Sequence, residues 1–520
     1  MQRHFANSVV LLSPFGPTDG GQLREFNMVE LYGEELDRID ELVDAPRSQL
    51  IVARRGAGRT CFAKQLHTRL RDSPSVATCE SIQAGRPQVI ELEKVGEQRS
   101  AAIRGELWKL IWHAALLRSL TSNLLNGDGL RLLDDADGAL LRLTWAELLG
   151  SCGQSMMPLD VFSQIKAILD DEERGATSLE AYLRHSDWAQ FEAQLAATLD
   201  GERTACLVID LDDDVTFASL ASWMSCQQGL LRAIAELNAG PLGNSVMVLA
   251  TSREAHYTWL PGTEKTLKLR ENVWLLDLDE TDTADYLDRM LIAISRWADA
   301  SMWHGALRAL MDDDPIDNVV RDCVERVRSY VIRHTRSLPR DIVVAGNELA
   351  HRRRNQPFDY EDVRRAVRGC ARAFGEEQVA ACAQALMANM SAEDTTAEYL
   401  QSCFATPGGY ENPTLASRLH RVISDIGVDR FSRERLEQVR VRTTGEFPHD
   451  VADALWRGGL LGYTQSDLPR GHVVFYALRV SSSELPNSRE YAFHPCLIDS
   501  AGLDPVGSSH PPTTPIAEKS

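Results

Sequence analysis

The chain has 520 residues, 44% of them hydrophobic and 25% charged, and a formal net charge of -20 at pH 7. That length exceeds one compact core, so several domains are expected, and the acidic balance excludes indiscriminate coating of nucleic acid, which needs locally gathered Lys and Arg. The ten cysteines are scattered, none at the two-residue spacing of a zinc or redox motif, and no apolar run is long enough to cross a bilayer, so a cytoplasmic protein with reduced thiols and no membrane partner is expected.

Residues 1–25 read as an irregular leader, punctuated by Pro14, Pro17, Gly20 and Gly21. A nucleotide-binding core is expected over 26–280. It opens with a helix, because Leu36, Ile39, Leu42 and Val43 recur at helical spacing. "QLIVA" predicts a buried strand, a glycine loop follows it, and Cys61, Phe62, Leu66 and Leu70 then suit the apolar face of a helix. "QVIEL" at 88–92 predicts a second strand. About 95–200 reads as a helical insertion carrying Trp108 and Trp112, four apart on one face and better suited to a core than to stacking on bases. "TACLVIDLDDD" at 204–214, "NSVMVLATSRE" at 244–254 and "NVWLLDLDE" at 272–280 predict three more strands. Strands alternating with helices predict an α/β fold built on a parallel sheet covered on both faces.

From Thr281, which reads as an N-cap, a helical lid is expected to about residue 395. It carries Arg352, Arg353, Arg354, Arg364, Arg365 and Arg368, either a solvated helix surface or a local nucleic-acid patch. Three short helices and two strands over 411–480 predict a winged helix bearing Arg433, Arg435, Arg440 and Arg442. Residues 481–520 form a C-terminal extension whose Pro-, Ser- and Thr-rich end reads as disordered.

The glycine loop carries the chemistry. A phosphate loop wraps an anion with backbone N–H groups, reaches it with a lysine and holds magnesium with a hydroxyl. Here the positions read Ala53, Arg54, Arg55, Gly56, Ala57, Gly58, Arg59, Thr60, followed by Cys61. Ala53 stands for the first glycine and Arg59 for the lysine. Gly56 and Gly58 still let backbone approach an anion, Thr60 still stands at a helix start, and that start still attracts phosphate. A guanidinium keeps the charge but directs its donors in a wider, fixed fork, which disfavours rapid hydrolysis.

Downstream, Asp210 ends an apolar strand and suits magnesium, jointly with Thr60. The glutamate that would polarise an attacking water is replaced by Leu211, leaving Asp212 and Asp213 as substitutes; an acidic turn capping the next helix is the plain alternative. The strand "VMVLATSRE" presents Thr251, Ser252 and Arg253 at its end, where a polar side chain can sense a γ-phosphate. Arg340, after Pro339 in "HTRSLPRDI", opens a lid helix from which an arginine could reach a triphosphate.

In this order the motifs resemble those of bacterial P-loop ATPases of the AAA+ and STAND group, with the core, lid and winged-helix order of origin-initiator ATPases. "LYGEELDRIDELV", with Gly33, Glu34 and Glu35, is similar to the box that precedes their loop, without its arginine. The resemblance implies ATP or ADP with Mg2+, conformational switching, a protein effector or homo-oligomer as partner, and in some members signalling or phage defence. Ala53, Arg59 and Leu211 favour a slow nucleotide-controlled switch with at most weak ATPase activity. The alternative is a non-hydrolysing scaffold whose winged helix binds DNA or a protein. Catalysis elsewhere would need a base and nucleophile; His494 and Cys496 in "YAFHPCLID" lack a third group to orient them and read as packing.

Overall fold

The computed structural model describes residues 15, 32, 39, 41–84, 104–126, 183–184, 186–199, 204–211, 220–254, 271–297, 311, 315–318, 323–355, 359–387, 415–444, 447, 450–465, 473–476 and 484–505. The expected strand at 88–92, Asp212, Asp213, most of the leader and the last fifteen residues lie outside them. The architecture is mixed α/β: a parallel sheet, then helices, then an antiparallel sheet. The chain divides into two compact units, one of Glu30–Arg55 and Arg59–Leu276, the other of Met1–Val29, Gly56–Gly58 and Asp277–Ser520.

The first unit is built on five strands: β1 (Gln49–Ala53), β2 (Val76–Ala84), β3 (Thr204–Leu211), β4 (Val246–Arg253) and β5 (Val273–Leu276). Their order is β2-β3-β4-β1-β5, and every ladder is parallel. All residues of β1 and β3 are buried, as a parallel sheet covered on both faces requires. Strand β2 was hidden in the sequence because "VATCESIQA" has no apolar run; it is an edge strand, and Glu80 and Ser81 are exposed.

Helix α1 (Arg59–Arg71) buries Cys61, Phe62, Ala63, Leu66 and Leu70. Burial of each of the three large side chains contributes roughly 2 kcal/mol. The Phe62 ring packs edge-on against both Tyr32 and Trp274, centroids 5.3 Å apart in each case. Helices α2 (Arg104–Asn126), α3 (Ser186–Thr198) and α4 (Leu220–Ala239) complete the described part of this unit. Trp108 and Trp112 are core residues of α2. Trp112 Nε1 donates to the Cys226 carbonyl at 2.9 Å, and Gly229 of α4 is a close approach, since a Cβ there would stand 2.6 Å from Trp108 Cβ.

In the second unit, α5 spans Glu280–Trp297. Its cap is Asp279, not Thr281. The Asp282 N–H donates to Asp279 Oδ1 at 2.8 Å and the Asp279 N–H returns to Asp282 Oδ2 at 3.1 Å, a reciprocal box that a threonine two residues later cannot make. An antiparallel pair, β6 (Pro315–Asn318) with β7 (Cys323–Arg326), interrupts the helical region. Helices α6 (Val327–His334), α7 (Pro339–Asn355) and α8 (Tyr360–Met387) follow. Phe15 is fully buried in this unit; its N–H donates to Asn347 Oδ1 at 2.9 Å, and its ring lies where a Cβ on Gly346 would stand.

The chain continues with α9 (Leu415–Ile426), β8 (Arg430–Ser432), α10 (Arg433–Thr443), α11 (Val451–Arg457), β9 (Leu461–Thr464), β10 (Val473–Phe475), β11 (Glu490–Phe493) and α12 (Pro495–Ala501). The sheet order is β10-β9-β11-β8, so a strand beyond residue 480 lies at its centre. Helix α8 is the spine of this unit, packing against α7, α9, α11 and α12. Among the described residues no helix is long and apolar enough to cross a membrane.

Candidate functional site

Strand β1 hands the chain through α1 to β2, three places away in one direction, whereas β4 is followed by β5 on the other side of β1. Connections leaving in opposite directions open a crevice at the carboxyl ends of the strands, the place where open α/β sheets bind ligands. Ala53 is the last residue of β1 and is buried, and its ladder partner is Arg253 at the end of β4. At the opposite end of the sheet the Asn238 amide ties the start of β1 to that of β5: it donates to the Ser48 carbonyl at 2.8 Å and to Asn272 Oδ1 at 2.7 Å.

The turn after β1 is set by two glycines in the left-handed region, Gly56 at φ 86° and Gly58 at φ 85°. Side chains rarely adopt that backbone, so the sequence can place this turn here only through glycine. Arg54, Arg55 and Gly58 are half-buried and Ala57 is buried. Arg59 is the first residue of α1 and Thr60 the second, both half-buried, with no acid in that first turn to oppose a bound anion. Burial pushes the Cys61 thiol up to about 12, and its side chain faces the core, so Cys61 could serve an anion only through its backbone N–H.

Asp210 is buried near the end of β3. Its Oδ1 accepts from Thr251 Oγ1 at 2.8 Å, and the same threonine oxygen accepts from the Leu211 N–H at 3.0 Å. Thr251 is level with Ile51 of β1, so one hydroxyl on the intervening strand fixes the carboxylate. Ser252, the next residue, points to the opposite face by the alternation of a strand and donates to Gln227 Oε1 of α4 at 3.3 Å. The structure therefore joins Asp210 to Thr251 and turns Ser252 away from both. Thr251 ends an apolar run with two other polar residues, and only its partners distinguish it from them. Among the described residues no three His, Cys, Asp or Glu side chains gather as a metal cage. Thr60 and Asp210 would thus hold magnesium only together with phosphate oxygens and water, the usual arrangement for that ion.

In the second unit, which includes the Gly56–Gly58 turn, the Arg340 N–H donates to the Gly56 carbonyl at 3.1 Å. Arg340 Nε lies 3.3 Å from where a Cβ on Gly56 would stand. Its Nη2 donates to both carboxylate oxygens of Glu377, at 2.9 and 2.8 Å. Nothing in the sequence singled out Glu377, which lies within a charged stretch of a long helix.

No protein-family model matches the chain, and no curated protein matches it. Among solved structures it is similar to the Aeropyrum pernix Orc1 protein in complex with DNA, at 14% identity over 93% of this chain and 95% of that one, with a TM-score of 0.31. A likeness that loose carries no argument, and the site stands on strand order and loop geometry alone.

The remaining candidates resolve by their partners. His494 caps α12, its Nδ1 accepting from the Cys496 N–H at 3.2 Å, and burial pushes the Cys496 thiol up to about 12; the pair is a helix cap, not a nucleophile and base. In the arginine run on α7 and α8, Arg352 pairs with Glu348, Arg364 with Glu361, Arg365 with Asp362 and Arg368 with Asp499. Arg440 pairs with Glu437, Asp450 and Asp453, and Arg442 with Asp425.

Proposed function

We propose that the chain is a P-loop-type protein that binds ATP or ADP at Ala53–Cys61 without efficient turnover, and that its C-terminal winged-helix-like domain engages a protein partner. The observation that carries this reading is the turn at the carboxyl end of β1, where Gly56 and Gly58 both adopt the left-handed backbone ahead of a 13-residue helix. In this reading the loop N–H groups and the N-terminus of α1 bind the phosphates, and Arg59 supplies the charge otherwise given by lysine. Thr60 and Asp210 hold Mg2+, which neutralises charge on the phosphate oxygens. Thr251 keeps Asp210 in place.

Weak turnover follows from what stands beside Asp210. Leu211 is buried and apolar, so it cannot orient water. Arg59 carries a broad fork rather than a point charge. The scaffold reading is therefore preferred to a switch driven by repeated hydrolysis, and a role in bacterial signalling or defence would use binding rather than turnover. A protein partner is preferred to DNA because Arg440 and Arg442 are already answered by carboxylates, whereas phosphate contact needs uncommitted charge. Val441, 75% exposed on the same helix, offers an apolar contact instead.

The test is to denature the purified protein and identify released nucleotide, then titrate the emptied protein with Mg·ADP and Mg·ATP by calorimetry. Binding by the wild type that disappears in a Thr60→Ala, Asp210→Ala double variant is expected; a wild type that neither carries nor takes up nucleotide ends the proposal. A steep salt dependence of duplex DNA binding would replace the protein partner with DNA.

A further inference from the structure

The Arg340 guanidinium is already engaged with an anion. Its Nη2 sits between the two Glu377 oxygens, while its backbone N–H and its Nε lie against Gly56. Gly56, Arg340 and Glu377 belong to one compact unit. The arginine thus borders the turn that would cradle a phosphate while directing its charge to a carboxylate.

Both partners are held from behind. Asp341, next to Arg340, is fully buried and bonded by Arg336 at 2.8 and 3.0 Å. Arg336 is buried, adopts a left-handed backbone at φ 50°, and donates through Nη1 to Gln378 Oε1 at 2.6 Å. Gln378, next to Glu377, donates to the Gly458 carbonyl at 2.9 Å. One buried network therefore fixes the turn carrying Arg340 and the turn carrying Glu377. The side chains of the outer pair remain 24% and 33% exposed, so a diffusing anion reaches them.

We propose that Glu377 is a positioning residue that competes with nucleotide phosphate for Arg340: a polyphosphate held at the Gly56–Gly58 turn takes the guanidinium by displacing the carboxylate. This rests on the nucleotide reading above. The exchange lowers affinity by the strength of the ion pair, which for partly exposed groups is roughly a five-fold effect. A phosphate chain carries more charge than one carboxylate and offers the same paired oxygens.

The test uses the full chain and calorimetry with Mg·ATP and, separately, inorganic tripolyphosphate, on wild type, Glu377→Gln, Arg340→Ala and the double variant. Glu377→Gln is expected to bind both probes roughly five-fold more tightly, and Arg340→Ala more weakly. In the Arg340→Ala background, Glu377→Gln should change nothing, and Glu377→Asp should keep the wild-type affinity. Glu377→Ala carries the same comparison if the amide variant melts early. Wild-type binding that Glu377→Gln leaves unchanged overturns the competition and spares the nucleotide reading, whereas no binding by either protein overturns both.

Discussion

Thr251→Val removes one hydroxyl and almost no volume, which makes it a clean probe of the sheet's polar centre. Thr251 is fully buried and Asp210 is 5% exposed, so water cannot replace what is lost. Two hydrogen bonds go at once: that from the Leu211 N–H, at 3.0 Å, and that to Asp210 Oδ1, at 2.8 Å. An orphaned buried N–H and a carboxylate deprived of a donor together cost about 3 kcal/mol. For a unit of this size that lowers its melting transition by roughly 6–12 °C. Thr251→Ser keeps the hydroxyl, loses one methyl and should cost only about 1 kcal/mol. Differential scanning calorimetry of the two variants, with hydrogen exchange of the peptide containing Leu211, measures the difference. A valine variant as stable as the serine variant, with unchanged exchange at Leu211, would refute the claim that this hydroxyl holds Asp210.

Gly56→Ala forces a side chain into φ 86° and sets its Cβ 3.3 Å from Arg340 Nε; Mg·ADP affinity should fall about ten-fold for a strain of 1–2 kcal/mol, read by calorimetry against Ala57→Gly as control. Asp341→Asn leaves the Arg336 charge buried without its partner and should cost about 3–5 kcal/mol, measured as a loss of urea resistance in the second unit. Burial, aided by Glu236, pushes the Glu192 carboxyl from 4.5 to about 7. The folded protein then keeps a proton that the unfolded chain has released, so this group's effect on stability worsens as pH rises from 4.5 through 7. Glu192→Gln removes that dependence, and its melting temperature should gain on the wild type across the window; parallel curves would show that Glu192 does not carry the proton.

The strands most legible in the sequence are the ones buried on both faces. "QLIVA", "CLVID" and "VMVLATS" are apolar runs because neighbours cover both sides of β1, β3 and β4. Strand β2 announces nothing, since an edge strand keeps polar side chains where the sheet meets solvent. The cap of α5 was misplaced by two residues because Asp279, Thr281 and Asp282 are all capping types, and only the reciprocal geometry chooses among them. Glu377 escaped assignment, and Thr251 was named only among three strand-end candidates and not as the partner of Asp210, for a related reason: a threonine at a strand end and a glutamate on a long charged helix are ordinary until a partner from a distant segment is placed beside them.

By itself the sequence determined the local chemistry. It put glycines where the backbone must turn left-handed, an uninterrupted apolar run before them, and a helix with no acidic first turn after them, because these properties depend on residues adjacent in the chain. Only the tertiary structure decided which polar groups answer one another. Asp210 and Thr251 meet across a ladder, and Arg340 meets Glu377 across two helices. Such pairings follow from strand order and helix packing, and a side chain's identity carries no information about which distant partner the fold will bring to it.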